Sequence, residues 1–150
     1  MLSTAHTIIS LPFAFLLSNP ILIFIAAIFF HLFADSLLHW NIYPDQFKRF
    51  PTLLIALDVV GGLVVAVGLL QDQAFTLPVL AAIAGGNLPD ALHVSWELLP
   101  QSLKNKTPSW AMKALTFHDG IQHETDIMWH GMITQIVLVS IALALVLRLA

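Results

Sequence analysis

Histidines and carboxylates recur at helical spacing inside apolar stretches of this sequence. His31, Asp35 and His39 are four residues apart in turn, so on a helix their side chains lie on one face. Asp90 and His93, nearly one helical turn apart, occupy a second apolar stretch. Neutral imidazole and carboxylate together are ligands for zinc, manganese or iron, and the same groups can relay protons. Metal binding and proton transfer are therefore the two chemistries that these residues predict.

A third group of titratable side chains follows in a polar region of the chain. His118 and His123 are five residues apart, and His130 follows seven residues after His123. If a helix begins near Gln122, His123 and His130 lie on the same face of it. Histidines outside an apolar stretch are by default solvated loop residues, so a surface role is the alternative for this group.

Three aspartates lie where a charge is costly. A charged side chain within a membrane span costs about 2.5–3.5 kcal/mol on insertion scales, so such residues are rarely without function. Asp35, Asp58 and Asp90 are in this position, and we expect each to be paired or to bind a cation. Two simpler alternatives stay open: His39 lies at a membrane interface, and Asp90 only caps the turn after the helix-bending Pro89.

The composition indicates that lipid is the solvent of the elements that position these residues. Of the 150 residues, 58% are hydrophobic and 10% are charged, whereas soluble domains carry about 25% charged residues. Five apolar stretches without a period of two each predict a helix, at residues 5–17, 20–40, 51–70, 75–99 and 128–149. The first is short for a span, which needs about 20 residues. The sequence predicts one all-α domain, a polytopic integral membrane bundle of four to five transmembrane helices.

Residues 100–127 are expected to form a cytoplasmic loop with a short amphipathic helix near Trp110 to Phe117. Five basic residues lie in the loops between the second and third and between the fourth and fifth stretches: Lys48, Arg49, Lys104, Lys106 and Lys113. Arg148 lies on the other side. By the positive-inside rule these loops face the cytoplasm, which predicts an inner-membrane protein. All seven histidines then lie on or near the cytoplasmic half.

The absence of cysteine and of a basic block excludes some classes of site. The chain has no cysteine, so disulfides and thiolate metal ligands are excluded. It also has no basic block of the kind that binds nucleic acid.

Four short motifs are similar to those of a known family. They are the stretch around His6, Pro89-Asp90-Ala91-Leu92-His93, His118-Asp119-Gly120-Ile121-Gln122-His123 and His31-Leu32-Phe33-Ala34-Asp35. Together they resemble motifs of the membrane-bound metal-dependent hydrolases related to the LexA-regulated inner-membrane protein. The chain departs from that pattern at Leu92, where the family has aspartate, and in the early position of the His31–Asp35 motif. The resemblance implies a metal-dependent hydrolase that acts on a phosphoester or a lipid.

The residues and the resemblance together predict a membrane-embedded metal-dependent hydrolase. One or two divalent ions, zinc first and manganese or iron as alternatives, would be held by ligands from this set: His31, Asp35, His39, Asp90, His93, His118, His123 and His130. Asp58 or Glu124 would act as general base or orient a ligand. The lipid bilayer is the expected partner. A proton- or ion-coupled transporter and a non-catalytic metal-binding scaffold are the alternatives.

Overall fold

The computed structural model describes residues 1–42 and 50–150. Their elements are α1 (Ser3–Ser10), α2 (Phe13–Leu16), α3 (Pro20–Asp35), α4 (Pro51–Leu70), a 3₁₀ helix (Gln71–Phe75), α5 (Leu77–Glu97), α6 (Gln101–Lys104), α7 (Ser109–Ile121) and α8 (Met128–Leu149). The described residues form no β-strand beyond one isolated bridge, so the all-α class is confirmed. Lys48 and Arg49, which contribute to the predicted orientation, lie outside the described residues.

A proline divides the first apolar stretch. Pro12 has no N–H to donate to the carbonyl of Ile8, and the N–H of Leu11 donates to that carbonyl instead, at 3.2 Å. The single helix expected at residues 5–17 is therefore two short helices, α1 and α2. α1 lies inside the bundle, in contact with α3, α4, α5 and α8.

The end of α3 is set by a distant part of the chain. Asn19 caps its first turn by accepting hydrogen bonds from backbone N–H groups. The helix ends at Asp35 rather than at residue 40, because the backbone that follows bonds to the segment after α7. The N–H of His123 donates to the carbonyl of Asp35 at 2.9 Å, and the N–H of His39 donates to the carbonyl of His123 at 3.0 Å. This pairing holds the chain after α3 beside the end of α7.

Three glycines allow close approach between segments. A side chain at Gly85 would overlap the backbone of α3, and one at Gly86 would overlap Ser10 in α1. A side chain at Gly131, in α8, would overlap the backbone of Trp40. Glycine at these positions lets α5 and α8 pack directly on neighbouring backbone.

Two helical stretches are long and apolar enough to cross a membrane, by length and composition: Thr52–Phe75 and Met128–Leu149. Ser3–Leu16 and Pro20–Asp35 are apolar but shorter. Only 17% of the most apolar part of each long stretch is buried, whereas the core helix of a soluble protein would be mostly buried. These two stretches indicate association with a membrane, and the full set of four to five spans stays a prediction.

Candidate metal centre

His31 is fixed in one orientation by the backbone of α5. Its Nδ1 lies 2.7 Å from the carbonyl oxygen of Gly86, and since a carbonyl can only accept, Nδ1 carries the proton and donates. The lone pair of Nε2 then faces Oδ2 of Asp35 at 3.0 Å. Two acceptors at this separation repel each other unless a proton or a metal ion lies between them. A histidine that donates one N–H to a carbonyl and presents the other nitrogen is typical of metal ligands.

Two further ligand atoms lie beside His31 and Asp35. Nε2 of His118 lies 3.2 Å from Nε2 of His31 and 3.2 Å from Oδ2 of Asp35. Oδ1 of Asp90 lies 3.6 Å from each of the two imidazole nitrogens. Within the part of the chain that the structure describes, these four side chains form a group whose ligand atoms all lie within 4.8 Å of one another.

The separations match those of a tetrahedral metal site. Bonds of about 2.0–2.1 Å from a zinc ion to four ligands place the ligand atoms about 3.3 Å apart. The distances between the ligand atoms given above run from 3.0 to 3.6 Å. Two neutral imidazoles and two carboxylates also carry two negative charges, which a divalent cation neutralises. The four residues therefore fit a divalent ion in both geometry and charge.

One side of this group is open. The side chains of His31 and Asp35 are fully buried, and that of His118 is 8% exposed. The side chain of Asp90 is 28% exposed. An isolated buried carboxylate would be very costly, so Asp35 requires the cationic surroundings that the histidines or a metal ion provide. The open side of the group is therefore that of Asp90.

His6 lies beside His31 and contacts the other oxygen of each of the two carboxylates. Its Nε2 lies 3.1 Å from Oδ1 of Asp35 and 3.7 Å from Oδ2 of Asp90. Its ring stacks on that of His31, with centroids 3.8 Å apart and planes at 23°. The amino nitrogen of Met1 also lies 2.9 Å from Oδ1 of Asp35. The N-terminal segment and α1 therefore contribute nitrogen atoms to the centre.

The pairing between the segments after α3 and α7 brings further polar groups to Asp35. Nε2 of Gln122 donates to Oδ2 of Asp35 at 2.8 Å. Nδ1 of His39 donates to the carbonyl of Leu37 at 2.8 Å. Nε2 of the same imidazole is buried, has no hydrogen-bond partner among the described residues, and lies 3.9 Å from Oδ1 of Asp35 and 3.8 Å from Oε1 of Glu124. Nε2 of His39 therefore faces two carboxylate oxygens.

Two groups outside the membrane-length helices have shifted pKa values. The His39 imidazole and the Asn41 amide, 3.3 Å from Oε1, hold the pKa of Glu124 below its usual range against the effect of partial burial. Partial burial lowers the pKa of His118, but its contact with Asp35 and the negative charges nearby outweigh burial and raise that pKa above its usual value. The raised pKa of His118 reflects the negative charge around it, whereas the lowered pKa of Glu124 reflects the groups that donate to its carboxylate.

A more exposed group adjoins His118. Nδ1 of His93 lies 3.1 Å from Oδ1 of Asp119, and the rings of His93 and His118 have centroids 5.9 Å apart. His93, His118 and Asp119 form a second group of potential ligand atoms. Since His93 and Asp119 are partly exposed, they lie at the rim of the centre rather than within it.

Three predicted site residues are not brought to the centre. Asp58 caps α1: Oδ2 accepts from the N–H of Ser3 at 2.6 Å and Oδ1 accepts from the N–H of Thr4 at 3.2 Å. The side chains of His123 and His130 are exposed. None of the three belongs to the groups of potential ligand atoms in residues 1–42 and 50–150.

His6 and Gln122 are the site residues that the spacing argument does not select. The sequence analysis names His6 only through the family resemblance. A polar side chain in an apolar membrane helix costs free energy, and that cost was a signal that could have selected His6. Gln122 follows His118 by four residues, so the two share a helix face. That spacing was the available signal for Gln122.

Comparison with known proteins adds no relative. No protein-family model, curated protein or solved structure matches this chain. The resemblance to the membrane-bound hydrolases stays a prediction, and the function is argued from the geometry of the centre.

Proposed function

We propose that this chain is a metal-dependent hydrolase associated with a membrane. The observation that carries the proposal is the convergence of His31, His118, Asp35 and Asp90 at tetrahedral separations. The Nε2 atoms of His31 and His118 face each other at 3.2 Å beside one carboxylate oxygen, a separation that two ligands of one metal ion have. A bound divalent ion would polarise the substrate and lower the pKa of a water molecule towards about 7.

The other residues of the centre would orient the ligands and move protons. Gln122 holds Asp35 in place through its amide. Glu124 lies 3.8 Å from Nε2 of His39 and would add a negative charge beside the centre. We assign proton transfer to His93, which lies on the open side with Nδ1 beside Asp119. This assignment replaces Asp58, whose oxygens hold the end of α1.

The proposed substrate is a lipid or another phosphoester presented at the membrane. A cleft of about 240 Å³ lies between α1, α4 and α5 and is lined almost entirely by apolar atoms. Asn87 and Ala91, which line it, flank Asp90 in α5. A cleft of this kind suits a hydrocarbon chain whose polar end reaches the metal centre. The cytoplasmic side of the inner membrane remains part of the proposal, supported by the lysines of residues 100–127.

A non-catalytic metal-binding scaffold is the second candidate function. Structural zinc sites use four protein ligands, whereas catalytic sites keep one position for water or substrate. The set His31, Asp35, Asp90 and His118 already supplies four. This candidate predicts a bound metal ion and no turnover.

The test measures metal content and hydrolysis on the same detergent-purified protein. After loading with zinc or manganese, elemental mass spectrometry should find stoichiometric metal in the wild type and none in the double variant Asp35→Ala, Asp90→Ala. Asp72→Ala is the matched control, because Asp72 is an exposed aspartate of the 3₁₀ helix, and it should keep the metal.

The loaded protein is then screened against phosphomonoesters, phosphodiesters and phospholipids. Hydrolysis that is lost together with the metal supports the proposal. A wild type that binds no metal after loading contradicts it, and bound metal without turnover on any of these substrates favours the scaffold.

A further inference from the structure

Each of the two carboxylates of the centre contacts both of two stacked histidines, one oxygen to each. Nε2 of His31 faces Oδ2 of Asp35 and Oδ1 of Asp90, at 3.0 and 3.6 Å. Nε2 of His6 faces the other two oxygens, Oδ1 of Asp35 and Oδ2 of Asp90, at 3.1 and 3.7 Å. Each carboxylate therefore presents one oxygen to each imidazole, which is the arrangement of a carboxylate that bridges two ions.

We infer that the centre binds two divalent cations side by side, bridged by Asp35 and Asp90. The first lies between His31 and His118, and the second lies next to it, between His6 and His39. This inference rests on the proposed metal centre and extends it from one ion to two. Each ion would have two imidazole nitrogens and two carboxylate oxygens as ligands.

The spacing of the histidine rings agrees with a pair of ions. A cation lies close to the plane of the imidazole that binds it, so two nearly parallel rings hold their cations about as far apart as the rings themselves. The centroids of His6 and His31 are 3.8 Å apart. Hydrolytic two-metal sites have metal ions about 3.5–4 Å apart, where both ions can act on one substrate.

His39 supplies an independent reason for the second cation. Its side chain is fully buried and its Nδ1 donates to the carbonyl of Leu37, so Nε2 is the nitrogen that faces the centre. That atom has no hydrogen-bond partner among the described residues and lies between Asp35 and Glu124. A cation placed between this nitrogen and the carboxylate oxygens would be a partner for all of them. Glu124, on the far side of His39, adds a negative charge that favours the same cation.

One positive group competes with the second cation. The amino nitrogen of Met1 lies 2.9 Å from Oδ1 of Asp35, the oxygen that the second ion would use. The alternative arrangement is thus one metal ion on the side of His31 and His118, with the amino group satisfying Asp35 on the side of His6. The two arrangements differ in the number of ions bound.

The experiment counts manganese ions and measures whether they are coupled. Full-length protein in detergent is loaded with manganese, separated from free ions and measured by elemental mass spectrometry and electron paramagnetic resonance. Two ions per chain with a spin-coupled spectrum are expected for the wild type. His6→Ala and His39→Ala should each lower the content to one ion with an isolated-ion spectrum, and His130→Ala, an exposed histidine, should keep two.

The wild-type spectrum decides the question even if a variant fails to fold. One manganese ion per chain with an isolated-ion spectrum would overturn the inference, as would a His6→Ala protein that keeps a coupled pair. The proposed function is judged separately by turnover. One ion with hydrolysis contradicts the pair alone, whereas a coupled pair without hydrolysis contradicts the hydrolase and leaves the pair in place.

Discussion

Asp58 uses its charge to hold the end of a helix. The first N–H groups of a helix have no partner within it, and a carboxylate there is further stabilised by the helix dipole. Oδ2 and Oδ1 of Asp58 accept from the N–H groups of Ser3 and Thr4, and the hydroxyl of Thr4 donates to the carbonyl of Asp58 at 2.7 Å. Because His6 belongs to α1, this cap also fixes the position of the His6 imidazole in the centre.

Asp58→Ala should lower the free energy of unfolding by about 0.5–2 kcal/mol, the usual cost of losing a helix cap. Because His31, His118, Asp35 and Asp90 are untouched, the protein should still bind metal. Thermal unfolding in detergent, with metal analysis of the same sample, checks both points. Asp72→Ala, at an exposed position, is the control and should leave stability unchanged. Loss of hydrolysis at unchanged stability and metal content would instead assign Asp58 to the chemistry.

The sequence distinguishes the aspartates only in part. The spacing of His31 and Asp35 and the charge of Asp90 single out residues that the structure brings together with His118. Asp58 has equally apolar neighbours, but its partner Ser3 is 55 residues away in the chain. Helical periodicity describes neighbours within one helix, so it does not reveal which backbone groups of another helix a carboxylate caps.

The glycines of α5 determine how its backbone meets α1 and α3. A side chain at Gly86 would overlap Ser10 and approach the carbonyl of His6 at 3.0 Å. The same close packing lets the carbonyl of Gly86 accept from Nδ1 of His31 at 2.7 Å. The contact between these helices thus selects the tautomer in which Nε2 of His31 is free to bind a metal ion.

Gly86→Ala should separate α5 from α1 and weaken this hydrogen bond. Overpacking of this kind costs about 1–3 kcal/mol, and we expect a lower unfolding temperature together with weaker retention of metal in the presence of a chelator. Gly68→Ala is the matched control, since an added Cβ there meets no atom of the described residues within 4 Å and alanine favours a helix. If Gly86→Ala unfolds at the same temperature as Gly68→Ala and retains metal equally well against the chelator, the close packing is not required.

Helix limits follow from the sequence where they depend on local signals. α4 begins at Pro51 and ends before the polar turn at Gln71, and α8 spans the last apolar run. The end of α3 is different, because no local residue stops it. It ends at Asp35 when the following backbone pairs with His123, and pairing with a segment so far along the chain has no signature in the apolar run itself.

At the scale of the whole molecule, several polar side chains are buried among the helices while large apolar side chains of the long helices are exposed. The side chains of His6, His31, Asp35 and His39 are fully buried. Large apolar side chains of α4 and α8, such as Val64 at 64% and Ile133 at 62%, are exposed. A bilayer is the solvent that favours this distribution, because it leaves exposed apolar side chains in contact with hydrocarbon. Composition alone predicts this property, whereas the sidedness depends on the few basic residues between the helices.

The absence of cysteine from the sequence makes that sidedness measurable. Gln73 lies in the 3₁₀ helix between α4 and α5, and Asn105 lies between α6 and α7; both are exposed. If α5 crosses the membrane with residues 100–127 in the cytoplasm, Gln73→Cys should react with a membrane-impermeant maleimide in intact cells. Asn105→Cys should react only after the membrane is permeabilised, and the unmodified protein is the background control. The reverse pattern would place the metal centre on the outer side, while labelling of both positions in intact cells would show that α5 does not span.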